Sequence, residues 1–290
     1  MPSQLSSKQT ALLTGIRDIL VAVTEEGRGD ETADALTYGL SLAQAADAHL
    51  TIQSAACRLT VVAGVSWGIV NDLVAGENRR LHALAKTIAD RAHEEAANAG
   101  VICTSEAHVL AYPELIGRLT ARARLADLTV LDAGAREVGI DRDLIDTLLF
   151  SSGRPLLVVP PGWKTFSARR VLVAWDGSAQ AARAANEALP FLRAAEVVEI
   201  VSVIGEKDLS TSAAGAELAP HLARHGVNVS VTQVPVDGDV AATLRTRVGL
   251  FRADMLVMGA FRHSRLREWF FGGVTQSMLS HSPLPLFLAH

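Results

Sequence analysis

The sequence of 290 residues predicts an α/β protein built from two tandem domains, each an open, mostly parallel five-stranded sheet. Short apolar runs alternate with segments of helical periodicity along the whole chain, which is the pattern of strands covered by crossover helices. The second half also repeats the first. Ala253-Asp-Met-Leu-Val-Met-Gly259 matches Ala126-Asp-Leu-Thr-Val-Leu-Asp132 at an offset of 127, and Arg170-Val-Leu-Val-Ala-Trp-Asp176 matches Asp18-Ile-Leu-Val-Ala-Val-Thr24 at an offset of 152. Length agrees, because two cores of about 100–150 residues each fit this chain better than one.

In the first half, residues 19–23 form an apolar run suited to a strand buried on both faces. A helix over 31–46 follows, with Ala35, Leu36, Leu40, Leu42 and Ala43 at helical spacing and Asp30 as its N-cap. Residues 49–55 are the second strand. The glycine-containing apolar stretch 61–75 reads as loop or irregular structure. A helix over 77–99 carries Leu81, Leu84, Ala85, Ile88 and Ala92 on one face and stops at Gly100. A strand (101–109), a helix (113–125), a strand (128–131), a helix (141–152) and a strand (155–159) complete the half. Pro160-Pro161-Gly162 then interrupts regular structure, so the linker is placed at 160–168 and the domains at 1–163 and 164–290.

The second half runs strand 170–176, helix 181–192, strand 197–203, helix 213–224, strand 228–235, helix 240–252 and strand 255–258. A basic loop then leads to a helix opened by Gly272-Gly273, and a strand over 285–289 ends the series. Pro285-Leu-Phe-Leu matches Pro155-Leu-Val-Val at an offset of 130, and the first half is longer by 25 residues between its first and fourth strands.

Composition is 49% hydrophobic and 20% charged, which places the chain among globular proteins. The net charge of −4 divides into −6 over 1–163 and +2 over 164–290, too mild a contrast for a nucleic-acid partner. Cys57 and Cys103 lie in no CxxC pair, so neither a disulfide framework nor a zinc site is indicated, and a reducing cytoplasm is expected. The polar start of the chain resembles no signal peptide, and no run reaches the roughly 20 apolar residues that span a bilayer.

The chemistry is concentrated between Met255 and Ser277, where an apolar strand stops at Gly259, a loop with Arg262, His263, Arg265 and Arg267 follows, and Gly272-Gly273 opens a helix. Glycines let backbone N–H groups approach a ligand, and a helix N-terminus favours an anion, so a phosphate suits this unit; a solvated basic loop is the equal alternative. Gly-x-Ser-x-Gly, Gly-x4-Gly-Lys-(Ser/Thr) and His-Glu-x2-His do not occur, so hydrolase, P-loop and zincin readings lack their signatures.

This stretch resembles the nucleotide-binding members of the universal stress protein family, which carry Gly-x2-Gly-x9-Gly-(Ser/Thr) after the fourth strand. Gly259 and Gly272 stand at the first and third positions with that spacing, while Arg262 stands at the second and Gly273 at the fourth. Arg262 either closes the backbone approach or contacts phosphate through its guanidinium. The resemblance covers nearly the whole chain and is strongest over 170–290.

It implies Rossmann-like sheets, adenine nucleotide alpha hydrolase-like in family, and an ATP site in the second half alone. Gly259 and Gly272 would face phosphate, Val274 would contribute backbone, and Gly273 would supply an N–H without the family's hydroxyl. Asp176 would lie near adenine or else cap the next helix, and Val203 would lie beside the base or else in the core. The first half carries Thr24 and Asp132 at the corresponding places, with Glu137, Asp141 and Asp143 nearby, and these carboxylates repel phosphate. The resemblance further implies a non-enzymatic role in stress adaptation, with slow ATP hydrolysis the least favoured reading. It also implies an intramolecular pseudo-dimer about a pseudo-twofold axis, residues 155–159 lying against 285–289, with a homodimer of the whole chain left open. A protein acting only through dimerisation or partner contact is the alternative.

Overall fold

The computed structural model describes residues 13–24, 33–60, 68–133, 140–205, 215–260 and 273–290. In chain order the elements are β1 (Asp18–Thr24), α1 (Asp34–Ala46), β2 (His49–Cys57), α2 (Gly68–Asn98), β3 (Cys103–Leu110), α3 (Tyr112–Ala123), β4 (Leu128–Asp132), α4 (Ile140–Ser151) and β5 (Leu156–Val159). The second half continues with β6 (Arg170–Ala174), α5 (Ala179–Glu187), α6 (Leu189–Ala194), β7 (Val197–Ile204), α7 (Leu218–Arg224), β8 (Val229–Pro235), α8 (Val240–Phe251), β9 (Met255–Gly259), α9 (Gly273–His281) and β10 (Leu286–Ala289).

The strands form one sheet in the order β3-β2-β1-β4-β5-β10-β9-β6-β7-β8. Each half is a parallel five-stranded sheet with its first strand beside its fourth, and the two meet where β5 pairs antiparallel with β10, Leu157 opposite Phe287. Two tandem five-stranded sheets lying against each other through their last strands were expected, and that edge pairing makes them one continuous ladder. The last strands each have one free edge, and joining those edges satisfies their backbone groups while making the ladder continuous.

Both faces are covered, as the unbroken apolar runs of β1, β5 and β10 require. On one face α1, α2, α5, α6 and α7 pack over a core that runs through both halves, from Leu50 and Val21 to Phe287, Val171 and Ile200. On the other, α3, α4, α8 and α9 cover Leu20, Leu156, Leu288, Leu256 and Val201. An aromatic series crosses between the halves on the first face. Tyr38 meets Phe166 at 5.8 Å, Phe166 meets Phe191 at 5.9 Å, and Phe191 meets Phe287 at 5.5 Å between ring centroids. The connecting segment is held to α1, since Gly162 N–H donates to Asp34 Oδ2 at 2.8 Å and Phe166 N–H to Ser41 Oγ at 3.1 Å.

The repeated aspartates have a shared structural role. Asp127 accepts from the N–H groups of Arg17 and Asp18 at 2.8 and 3.1 Å, and Asp254 accepts from those of Arg169 and Arg170 at 3.1 and 2.9 Å. In each half the residue before the fourth strand thus fixes the entry to the first strand.

Several local expectations need correction. Residues 68–75 are helical: α2 spans 31 residues where its counterpart α7 spans 7, so the extra length of the first half went into a helix and not a loop. The helix expected over 181–192 is two, because Pro190 lies in the first turn of α6 and cannot continue the hydrogen-bonding of α5. α7 starts at Leu218, later than residue 213. The first helix has Ala33 as its N-cap, while Asp30 lies outside the described residues.

Charge is paired most densely where α3 and α8 cover the outer strands. Arg247 forks onto buried Glu199 at 2.6 and 2.7 Å. In the first half Glu106 accepts from Arg118, Arg122 and Gln53 at 2.7, 2.6 and 3.1 Å, with His108 Nε2 at 3.1 Å. Partial burial alone would raise the Glu106 carboxyl, but these hydrogen bonds and the Arg122 charge hold it down at about 2, from an ordinary value of 4.5. A carboxylate depressed on folding contributes stability that is full above about pH 4.5 and fades as pH falls towards 2. Glu106→Gln is therefore expected to flatten the loss of stability over that window, read as urea midpoints at pH 5 and pH 3; parallel midpoints in both proteins would contradict it.

Candidate functional site

In an open α/β sheet the helices leave to opposite faces at one point, and a crevice forms there beyond the carboxyl ends of the strands. In each half that point lies between the first and fourth strands: β1 and β4, then β6 and β9. The two crevices were built from the same plan, and their residues differ.

In the second half, Asp176 follows β6 and is half-buried; its Oδ1 accepts the N–H of Ser178 at 2.9 Å. Ser178 is the N-cap of α5, its Oγ accepting the N–H of Ala181 at 3.1 Å. Asp176 therefore orders the turn and Ser178 serves the helix, a division of labour that Asp-Gly-Ser encodes locally.

Gly259 ends β9 directly under that helix. A Cβ on it would stand 2.5 Å from Ala181 N and 2.6 Å from Gln180 C, so only glycine lets the start of α5 approach the strand this closely. Across the crevice, Gly273 begins α9, is exposed, and has nothing within 4 Å of where a Cβ would be. Val274 is half-buried against the core beneath α8 and α9. Val203 lies 5% exposed in that same core and is a packing residue of β7. Arg262 and Gly272 lie outside the described residues; of the other expected site residues, Asp176 and Gly259 stand at the ends of β6 and β9, Gly273 and Val274 open α9, and Val203 lies in the core.

The first half solves the same junction differently. Ala33, the N-cap of α1, has no side chain that can cap it, and Asp132 at the end of β4 accepts the N–H of Ala35 at 2.9 Å through Oδ1. A carboxylate fixed at the positive end of α1 satisfies the donor and the helix dipole together. The remaining space, bounded by Ala22, Thr24, Leu131, Asp132 and Leu144, is a cavity of about 10 Å³, room for one water molecule. Asp132 thus occupies with its own carboxylate the position that would attract a phosphate. Sequence reasoning placed Asp132 as a repelling charge and missed its bond; the absence of a capping side chain at Ala33 was the available signal.

A Cβ on Gly273, the first residue of α9, would meet nothing within 4 Å, so this helix start carries no side chain of its own. Among the described residues no group of three or more His, Cys, Asp or Glu could hold a metal ion, and no helix is long and apolar enough to cross a membrane.

Gly259→Ala is expected to lower stability by about 1–3 kcal/mol, because the backbone of α5 must move to admit a methyl group. Asp132→Ala should cost about 1 kcal/mol through loss of the cap on α1. Urea unfolding measures both, and an unchanged midpoint in either variant would refute the role given to that residue.

Residues 167–290 match the model of the universal stress protein family. Comparison with curated proteins gives no match. Among solved structures, a universal stress protein from Archaeoglobus fulgidus DSM 4304 superposes with a TM-score of 0.68 at 14% identity, covering 93% of this chain and 95% of that one. A functionally unknown protein from Pseudomonas aeruginosa PAO1 gives a TM-score of 0.56 at 14% identity, over 96% of this chain and 93% of that one. At such identities the likeness establishes the fold, and it does so across both halves. The chain is therefore a tandem α/β protein with the fold of these structures, whose second unit matches the universal stress protein family model and whose first unit repeats the fold.

Proposed function

We propose that the chain is a non-enzymatic stress-response protein of the cytoplasm, and that its second half holds an adenine nucleotide, ATP, in the crevice between β6 and β9. The observation that carries this reading is the divergence at one repeated position. Where the first half has Asp132 bonded to the start of α1, the second has Gly259, with α5 already capped by Ser178 and the N-terminus of α9 open at Gly273. A local hydroxyl cap releases the strand end from that duty, and the carboxylate on this rim, Asp176, is bonded to the turn at Ser178 rather than standing at the end of β9. In this site Asp176 orients the turn beside the base, Gly259 permits the close strand–helix approach, and the first N–H groups of α9 face phosphate.

A second reading is a protein that acts through partner contact alone. It is favoured by the steric need for glycine at 259, which the approach of α5 explains without any ligand.

Calorimetry of the full chain with ATP and Mg²⁺ separates the two. The first reading expects saturable binding below about 1 mM, abolished in Gly273→Asp, since a carboxylate at the start of α9 would repeat what Asp132 does for α1. That variant should remain folded, because the position is open and acidic residues suit a helix N-terminus. No heat with the wild-type chain at millimolar ATP would overturn the nucleotide reading and leave the second.

A further inference from the structure

We propose that a second copy of this chain pairs with the first through β8, strand against antiparallel strand, about a twofold axis at Val231. The sheet ends in β3 on one side and β8 on the other, and an outermost strand offers a row of backbone donors and acceptors to any chain that can match it. The two ends are managed differently. Every residue of β3 except Thr104 is partly covered, and the 31-residue α2 packs along it. In β8 the residues Ser230, Val231, Gln233 and Pro235 are exposed, no side chain is charged, and Val231 is 39% exposed.

The free edge has a symmetry of its own. Val198 N–H donates to Asn228 O at 2.9 Å and Val236 N–H to Ile204 O at 2.8 Å, with an unbroken register between them. In a parallel ladder alternate residues face the same neighbour, so residues 228, 230, 232, 234 and 236 turn their backbone groups to β7. Val229, Val231 and Gln233 turn theirs outward, where they have no partner among the described residues. Pro235 has no N–H and ends the set. Three outward residues centred on Val231 are matched by their own copy: Val231 faces Val231, and Val229 faces Gln233 in both directions, each opposed pair exchanging its N–H and C=O groups.

Charge selects the direction. Arg224, the last residue of α7, precedes β8 and Asp237 follows it; both are exposed, and neither side chain has a partner among the described residues. Antiparallel pairing brings Arg224 of each chain to the end where the other carries Asp237, whereas parallel pairing sets like charges together. The covering helix agrees. Leu218 and Leu222 of α7 are buried, His221 meets Asn186 of α5 at 2.9 Å, and His225 meets Arg193 of α6 at 3.0 Å. The helical period then turns Ala219 and Ala223 towards the open edge, where side chains this small let a second α7 come close.

Sedimentation equilibrium of the full chain, without any nucleotide, tests the assignment. The wild type is expected at the mass of two chains at micromolar concentration. Val231→Pro is expected to be folded and monomeric, because a proline whose missing N–H faces outward leaves the ladder with β7 intact. Arg224→Asp and Asp237→Arg are each expected to weaken dimerisation about tenfold, since the twofold axis repeats the clash at both ends, and the double reversal to restore it. Those two side chains are exposed and lie outside the strand, so they carry the test even where proline disturbs β8. A wild type that stays monomeric, a mass that keeps growing past two chains, a folded Val231→Pro chain that still dimerises, or a double reversal no tighter than the single ones overturns the proposal.

Discussion

The pairing of β5 with β10 is the constraint on which the rest of the molecule depends. A parallel five-stranded sheet has two open edges, and an open edge is a row of unpaired donors and acceptors. Here the fifth strand of each half covers the other, with Leu156, Leu157 and Val158 opposite Leu288, Phe287 and Leu286. All six are at most 1% exposed, so the joint is core, and the aromatic series through Phe166 and Phe191 continues it towards α1 and α6. Because the joint is antiparallel, the two crevices open on opposite rims. Each half therefore presents the amino ends of its strands beside the carboxyl ends of the other's.

Duplication preserved the frame and released the crevices. Asp127 and Asp254 do the same work, the first with one carboxylate oxygen and the second with both, fixing the N–H groups that lead into β1 and β6. Such a contact is indifferent to any ligand and depends only on strand order, which both halves share. At the ends of β4 and β9 the constraint differs, since the start of the neighbouring helix must be satisfied either by a local side chain or by the strand. Ser178 provides the first solution and Asp132 the second. One hydroxyl in a turn thereby decides whether the strand end must carry a carboxylate.

What the sequence made legible follows from the range of the forces involved. Strands buried on both faces are continuous apolar runs, and the repeat of Ala-Asp before the fourth strand recurs in both halves, so the strands and the duplication could be expected, while the meeting of the last strands came from the family resemblance. The first turns of α2 could not, since Gly68, Gly76 and the apolar residues between them show no helical period, and most of this stretch lies exposed beyond the core. The division of α5 from α6 was written in Pro190 and overlooked because the apolar pattern runs through it. At the site, Asp176 and Gly259 were singled out by the family resemblance, through the repeat for the first and the glycine motif for the second. Their contacts with Ser178 and with the backbone of α5 depend on how closely a helix settles on a strand, a tertiary quantity without a local signature.

The asymmetry between the crevices is best understood as a competition between anions for a helix N-terminus. Asp132 is tethered to β4 and already bonded to Ala35, so its carboxylate acts at a high effective concentration, in the millimolar range or above, and a free phosphate must displace it and desolvate as well. In the second half the corresponding strand end has no side chain, and α5 is served by a neutral hydroxyl from its own turn. On the proposed reading the helix that would face a ligand is α9, whose first residue has no side chain. A half that supplies its own anion can afford to lose ligand binding and keep its fold. It remains useful to its twin as the body against which the other rim is held, through Arg183 on Gly153 and His290 against Phe150.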